Sequence, residues 1–172
     1  MEKKSQTSSV HGGNFVITKL AGTLSFALGL FLLDRVTKWY FVMHPDEQFD
    51  IISDILFLKL HLNTNMALSL PLFPPLYYSL IVIVVIILMV LLVKAMQHKN
   101  YFEFAVVTII LSGAFANLVD RAIYGGVVDF ISISFWSVFN LADVYIISAI
   151  GIWLIKIFLE EKDVKGKTIS KT

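Results

Sequence analysis

An uninterrupted apolar run places the strongest constraint on how this chain folds. From Leu76 to Val93 the sequence contains 18 residues and no charged side chain. A helix of this length crosses the hydrocarbon core of a bilayer. Three further apolar segments, 14–33, 103–124 and 139–159, are long enough to do the same. The pattern predicts an all-α membrane protein with four transmembrane helices.

Composition agrees with that prediction and excludes several classes of function. The 172 residues are 57% hydrophobic and 16% charged, which is too apolar for a soluble domain of this length. The formal net charge is only +1, so we expect no nucleic-acid partner. Cysteine is absent, which excludes disulfides, thiolate catalysis and cysteine-based metal sites. The four histidines lack metal-ligand spacing, and we expect neither a metal nor another cofactor.

The longest polar stretch, 34–75, lies between the first two apolar segments. Within it, leucines at positions 56, 58, 60 and 62 alternate with Phe57, Lys59, His61 and Asn63. A period of two is typical of a strand with one apolar face. We therefore predict a small extracytoplasmic β-sheet between helices 1 and 2, and an extracytoplasmic loop over 125–138.

The distribution of basic residues predicts which side of the membrane the two termini occupy. Of the 14 basic residues, only Arg35, Lys38, Lys59 and Arg121 fall on the side opposite the termini. The positive-inside rule then makes segments 1–13 and 160–172 cytoplasmic tails. It also places Asp120, Asp129 and Asp143 in the outer half of the membrane.

Polar residues are concentrated between Gly113 and Asp143. Gly113, Asn117 and the Asp120–Arg121 pair recur at i, i+4, i+7 and i+8, which is one face of a helix. Asn140 and Asp143 share a face at the start of the next apolar segment, and Asp129 lies between the two groups. Ionisable side chains at membrane depth are costly and by default indicate function.

Five short patterns together resemble the signal peptidase II family, the lipoprotein signal peptidases. They are Asp34-Arg-Val-Thr-Lys38, Asn63-Thr-Asn-Met-Ala-Leu68, Asn117-Leu-Val-Asp-Arg121, Val127-Val-Asp-Phe130 and Phe139-Asn-Leu-Ala-Asp143. The resemblance spans about Asp34 to Gly151. Compared with the usual family pattern, this chain differs at Arg35, where glutamine is typical, and at Asn65, Met66, Leu68, Ser112 and Ala116.

The resemblance implies a membrane aspartyl endopeptidase of the bacterial inner membrane, with its active site at the outer face. It would cleave prolipoproteins on the N-terminal side of a diacylglyceryl-modified cysteine, and its partners would be these substrates and membrane lipids. It implies that Asp129 and Asp143 are catalytic. Residues that bind substrate or support the pair would be Asn117, Arg121, Asn140, Asn63, Asp34 and Lys38.

Chemistry independent of the family gives the same pair a plausible task. Two carboxylates in one site share a proton, so one can activate water while the other protonates a carbonyl oxygen. Structural interpretations stand beside this one: Asp120 would form an ion-pair network with Arg121, and Gly113 would allow close helix approach. Asn117 and Asn140 could be interhelical hydrogen-bond partners, and Asp34 with Lys38 a helical ion pair.

Two other classes of function remain open from the sequence. Intramembrane carboxylates also form proton or ion pathways in small transporters. The chain could also be a membrane assembly factor without catalytic activity.

Overall fold

A computed structural model describes residues 3–64, 74–135 and 137–169. These residues form four long helices and one small antiparallel sheet. The helices are α1 (Lys3–Met43), α2 (Pro74–Gln97), α3 (Tyr101–Tyr124) and α4 (Leu141–Ile169). The strands are β1 (Gln48–Ile52), β2 (Leu56–Asn63), β3 (Val127–Ile133) and β4 (Val138–Phe139).

Each helix contains a segment long and apolar enough to cross a membrane. The four segments are Val16–Met43, Ser79–Gln97, Tyr101–Tyr124 and Leu141–Lys162. Large apolar side chains cover their outer surfaces, including Val36, Ile86 and Ile147, each more than half exposed in the isolated protein. The prediction of four apolar helices is therefore confirmed.

Helix α1 is longer than the sequence predicted. The first span was expected over 14–33, with a cytoplasmic tail before it and a β-rich segment from residue 34, but the helix begins at Lys3 and ends at Met43. Asp34 and Lys38 are therefore helical. Both side chains are fully buried and form an ion pair across one helical turn. Because the two charges neutralise each other inside the protein, they do not force the helix to end.

The other helices also differ from their expected bounds at the ends. Helix α2 gains its first turn from Pro74, since proline is favoured at the first helical position. Helix α3 begins after Asn100, whose side chain accepts a hydrogen bond from Glu103 N. It ends at Tyr124, and Gly125 caps it with φ +70°. Helix α4 begins at Leu141 rather than 139 and continues through part of the predicted tail to Ile169.

The sheet is not confined to the segment between the first two helices, which corrects the prediction. Its order is β1-β2-β3-β4, so half of it comes from residues 125–138, predicted to be a loop. The alternating leucines do form β2. Strand β3 lacks alternation because Val127 to Phe130 are all buried, and a strand buried on both faces has no period-two pattern. Residues Asn65, Met66 and Leu68 lie outside the described parts of the chain.

Helix α3 occupies the centre of the bundle and packs against α1, α2 and α4. Its apolar half meets α2 and α4 in a core that includes Leu88, Val107 and Ala149. Towards the sheet, α3 approaches α4 closely at Gly113. A Cβ atom there would lie 2.6 Å from Ile146 Cγ1 and 2.6 Å from Tyr145 Cε2. Glycine therefore sets the spacing of the two helices near their polar ends.

Candidate active site

Asp143 lies in the first turn of α4 and takes part in starting that helix. Its backbone N–H donates to Asn140 Oδ1 at 3.1 Å, and Asn140 N–H donates to Asp143 Oδ2 at 3.3 Å. This reciprocal pair is a capping box with aspartate in the third position. The arrangement fixes the Asp143 carboxylate where the helix presents its positive end.

Asp129 lies on β3, and the sheet supplies one of its partners. Strand β2 pairs with β3 so that Asn63 is opposite Val127 and His61 opposite Asp129. Asn63 Nδ2 then donates to Asp129 Oδ2 at 3.0 Å. Asn140 Nδ2 donates to the other oxygen, Oδ1, at 2.7 Å. The residue is 2% exposed, and both oxygens of its carboxyl group accept hydrogen bonds.

Asn117 on α3 completes the link between the two carboxyl groups. Its Nδ2 donates to Asp143 Oδ1 at 2.9 Å, and its Oδ1 accepts from Asn140 Nδ2 at 3.1 Å. Lys38 Nζ donates to the same Asn117 oxygen at 2.8 Å. Two donors thus fix the amide orientation and leave its N–H group facing Asp143. Asn117 and Asn140 together join Asp129 to Asp143.

Lys38 lies beneath this group with its side chain fully buried. Its ammonium lies 2.9 Å from Asp34 Oδ2, 2.8 Å from Asp120 Oδ2 and 2.8 Å from Asn117 Oδ1. Two carboxylate oxygens and one amide oxygen therefore surround the ammonium within 2.9 Å. The charge is therefore balanced and fully solvated by protein atoms, which a buried cation requires.

The two buried carboxylates below the pair each bind the backbone next to one of its members. Asp34 Oδ1 accepts from Ala142 N at 3.0 Å, one residue before Asp143. Asp120 Oδ2 accepts from Val128 N at 3.2 Å, one residue before Asp129. Helices α1 and α3 thereby hold the main chain at both candidate catalytic positions.

Asp120 joins an ion-pair network whose cations come from α1. It pairs with Arg35 and Lys38. The adjacent Arg121 donates from Nη1 to Asn117 O at 3.5 Å and lines the cavity described next.

A cavity of about 690 Å³ opens above the two carboxyl groups. Its polar end includes Asp129, Asp143, Asn63, Asn117 and Arg121. Its walls are mainly apolar and come from the sheet and α4: Val127, Ile133, Val138, Phe139, Val144, Ile146 and Ile147. A largely apolar pocket with a few converging polar groups is the usual form of a ligand site.

Burial raises the pKa of Asp129 from 3.8 to about 6. Hydrogen bonds from Asn63 and Asn140 and the positive charge of Lys38 oppose this change in pKa, while the nearby Asp143 charge adds to it. Asp129 therefore holds its proton at a pH where an ordinary aspartate has lost it. Among the described residues, no group of three or more His, Cys, Asp or Glu side chains could hold a metal ion.

The structure brings the predicted site residues together. Asp129, Asp143, Asn117, Asn140 and Asn63 are joined by direct hydrogen bonds, and Lys38 connects Asp34 and Asp120 to them. Gly113 lies one turn before Asn117, at the close approach of α3 to α4. The sequence analysis did not assign Arg35 a partner. Its departure from the usual glutamine was the only signal that could have drawn attention to it.

Sequence comparisons with known proteins agree on one protein family. A family model described as signal peptidase (SPase) II matches residues 26–159. A lipoprotein signal peptidase of Halalkalibacterium halodurans is 32% identical over 146 residues, covering 81% of this chain and 93% of the relative. One from Shouchella clausii is 28% identical and covers 83% of this chain and 96% of the relative. A solved structure described as a bacterial membrane enzyme has a similar fold, with a TM-score of 0.70 at 22% identity, covering 83% of this chain and 91% of the other.

Proposed function

Because the chain belongs to the signal peptidase II family, we propose that it cleaves its substrate with Asp129 and Asp143 acting as an aspartic dyad. The family assignment makes the protein a peptidase that removes signal peptides from prolipoproteins, and a multi-pass protein of the bacterial inner membrane. The transporter alternative has no support from these comparisons. The aspartic mechanism and the roles of individual residues are the proposal.

One observation carries the proposal: the two carboxyl groups are joined by the Asn117 and Asn140 amides and differ in environment. Asp143 accepts two N–H groups at the start of α4, where the helix favours negative charge. Asp129 is buried, and its pKa is about 6. A pair with such different environments can supply one base and one acid.

The reaction follows from that difference. Asp143, ionised, takes a proton from water as the water oxygen attacks the scissile carbonyl carbon. Asp129, protonated, gives its proton to the carbonyl oxygen, and a neutral tetrahedral intermediate forms. The proton held by Asp143 then passes to the leaving nitrogen and the carbon–nitrogen bond breaks. Asp129 takes back one hydroxyl proton as the carbonyl reforms, so both carboxyl groups regain their starting states. The intermediate stays non-covalent, since water itself is the nucleophile.

The cavity suits a substrate that is part peptide and part lipid. We propose that the scissile bond lies at the polar end, on the N-terminal side of a diacylglyceryl-modified cysteine. The apolar walls from α4 and the sheet would contact the lipid and the signal segment. Arg121 at the polar end would bind a substrate carbonyl. Membrane lipids would cover the exposed apolar surfaces of the four helices.

We propose that both termini are cytoplasmic and that the dyad lies at the outer face. The basic residues favour this orientation, since ten of the 14 belong to the sequence segments on the side of the termini. Hydrogen bonds join Lys38, Asn63, Asn117, Asp129 and Asp143 at the sheet end of the bundle. Substrates exported across the membrane would reach the dyad from that side.

The test is turnover of a purified lipidated precursor, measured by gel shift, for Asp129→Asn, Asp143→Asn and the double variant. Each single change keeps the size of the side chain but removes the group that exchanges a proton. We expect each to lower turnover by about 10²- to 10⁴-fold, with little further loss in the double variant because the pair acts as a unit.

Asp54→Asn is the matched control. Asp54 is exposed in the β1–β2 turn at φ +59°, a conformation that asparagine tolerates. It should cleave like the wild type. Substantial turnover by a folded Asp129→Asn or Asp143→Asn protein would show that the dyad is wrongly assigned.

A further inference from the structure

Arg35 occupies the second position of the Asp34–Lys38 segment, where the family resemblance leads one to expect glutamine. We propose that Arg35 is a positioning residue for peptide cleavage, which acts by holding Asp120 and through it the start of β3 beside Asp129. The inference rests on the proposed dyad. It assigns a function to a residue that does not itself touch the reacting atoms.

The contacts of Arg35 connect α1 to the sheet end of α3. Its Nη2 forms an ion pair with Asp120 Oδ1, and its Nη1 donates to Ala116 O at 3.4 Å. The Arg35 side chain is 18% exposed and the Asp120 side chain is 0% exposed. A guanidinium that binds a carboxylate and a carbonyl one helical turn apart restricts the orientation of the carboxylate and also neutralises its charge.

The two carboxylate oxygens of Asp120 have different partners. Oδ1 is occupied by Arg35, which leaves Oδ2 for Lys38 at 2.8 Å and for the Val128 N–H at 3.2 Å. Val128 is fully buried, so no water can replace that hydrogen bond. Because Val128 is adjacent to Asp129, the Asp120 carboxylate and the pairing of β3 with β2 together position the Asp129 backbone.

Lys38 alone cannot hold Asp120 without weakening other contacts. Its ammonium already forms ion pairs with Asp34 and Asp120 and donates a hydrogen bond to Asn117. Without Arg35, one ammonium would face two buried carboxylates, and the uncompensated charge would draw it away from Asn117. Asn117 would then lose one of the donors that orient its amide toward Asp143. Arg35 therefore protects both halves of the dyad through one contact.

The experiment uses three single variants, Arg35→Met, Arg35→Gln and Asp120→Asn. A fourth protein combines Arg35→Met with Asp120→Asn. Turnover of the lipidated precursor is measured per folded molecule, with kcat and KM separated. Lys156→Met is the control, since it removes a cation of α4 that pairs with Glu160 at 3.5 Å and does not line the cavity. Asp129→Asn is measured in the same assay.

For Arg35→Met we expect kcat to fall by about 10- to 100-fold, the effect of a displacement of about 1 Å at a reacting group. KM should stay within about twofold, because Arg35 is not among the described residues that line the cavity. Arg35→Gln keeps one donor for Asp120 Oδ1 and should recover part of kcat. In the Asp120→Asn background, Arg35→Met should change kcat by less than about threefold, because its route to the dyad is already lost.

Wild-type kcat in folded Arg35→Met would overturn the proposal, as would an equal loss of kcat with and without Asp120. If Arg35→Met does not fold, Arg35→Gln decides by the same criteria, and its wild-type kcat would also refute the proposal. Full turnover in Asp129→Asn would refute the dyad and this inference with it. An inactive Asp129→Asn beside an unaffected Arg35 variant would refute the role of Arg35 alone.

Discussion

Replacing Gly113 by alanine tests whether the spacing of α3 and α4 controls the geometry of the dyad. The added Cβ would lie 2.6 Å from both Tyr145 Cε2 and Ile146 Cγ1. Carbon atoms in contact prefer about 3.5–4.0 Å, so the Tyr145 and Ile146 side chains must shift by about 1 Å, and we expect α4 to move with them. Overpacking of this kind destabilises a protein by about 1–3 kcal/mol.

The same separation reaches the dyad within one helical turn. Asn117 follows Gly113 by four residues, and Asp143 precedes Tyr145 by two. A shift of about 1 Å would stretch the Asn117–Asp143 hydrogen bond from 2.9 Å beyond hydrogen-bonding distance. We expect turnover per folded molecule to fall by about 10- to 100-fold.

The assay is gel-shift cleavage of the lipidated precursor together with thermal unfolding in detergent. Gly151→Ala is the control, because it makes the same substitution on α4 where a Cβ would meet nothing within 4 Å. Alanine favours a helix over glycine by about 1 kcal/mol, so Gly151→Ala should unfold at the same or a higher temperature and cleave normally. Wild-type turnover and stability in Gly113→Ala would refute the reasoning.

Three further predictions concern charge. Lys38→Met should lower the unfolding free energy by about 3–5 kcal/mol, because it leaves Asp34 buried without its cation. Adding Asp34→Asn should restore part of that stability, measured by SDS titration. A further loss of stability in the double variant would contradict this prediction. The raised pKa of Asp129 means that the folded protein binds a proton more tightly than the unfolded chain between pH 3.8 and about 6. As pH rises through that interval, the unfolding free energy of the wild type should fall by up to about 3 kcal/mol relative to that of Asp129→Asn. If the unfolding free energies of the two proteins change with pH in parallel, this prediction is wrong. A reporter fused after Thr172 should be cytoplasmic and one inserted near Asp46 external, whereas a cytoplasmic reporter at Asp46 would overturn the orientation.

The sequence predicted those features of the fold that leave a local pattern. The uncharged run in α2 is recognised by its length, and the alternating leucines of β2 by their period of two. Strand β3 does not, because its first four residues are all buried and its apolar side chains are not segregated to one face. The end of α1 was predicted too early because Asp34 and Lys38 are polar in sequence, while their mutual ion pair makes them compatible with a buried helix.

The candidate site was predictable as a set of residues and not as a network. Asn63, Asn117 and Asn140 could be selected from short motifs, but their hydrogen bonds depend on how β2, α3 and α4 meet. The pairing of Asp120 with Arg35 joins residues 85 positions apart. Such contacts arise from helix packing, and no spacing along the chain encodes them.

The ion pair within α1 has a consequence for the biogenesis of the protein. Helices are made in sequence order, so α1 enters the bilayer before α3 exists. Asp34 and Lys38 can neutralise each other at 2.9 Å without any other helix, whereas an isolated charge at the bilayer centre costs about 2.5–3.5 kcal/mol or more. Arg35 has its carboxylate partner on α3. A nascent chain that stops before α3 therefore retains one cation without its carboxylate, and this excess charge distinguishes an incomplete protein from a finished one.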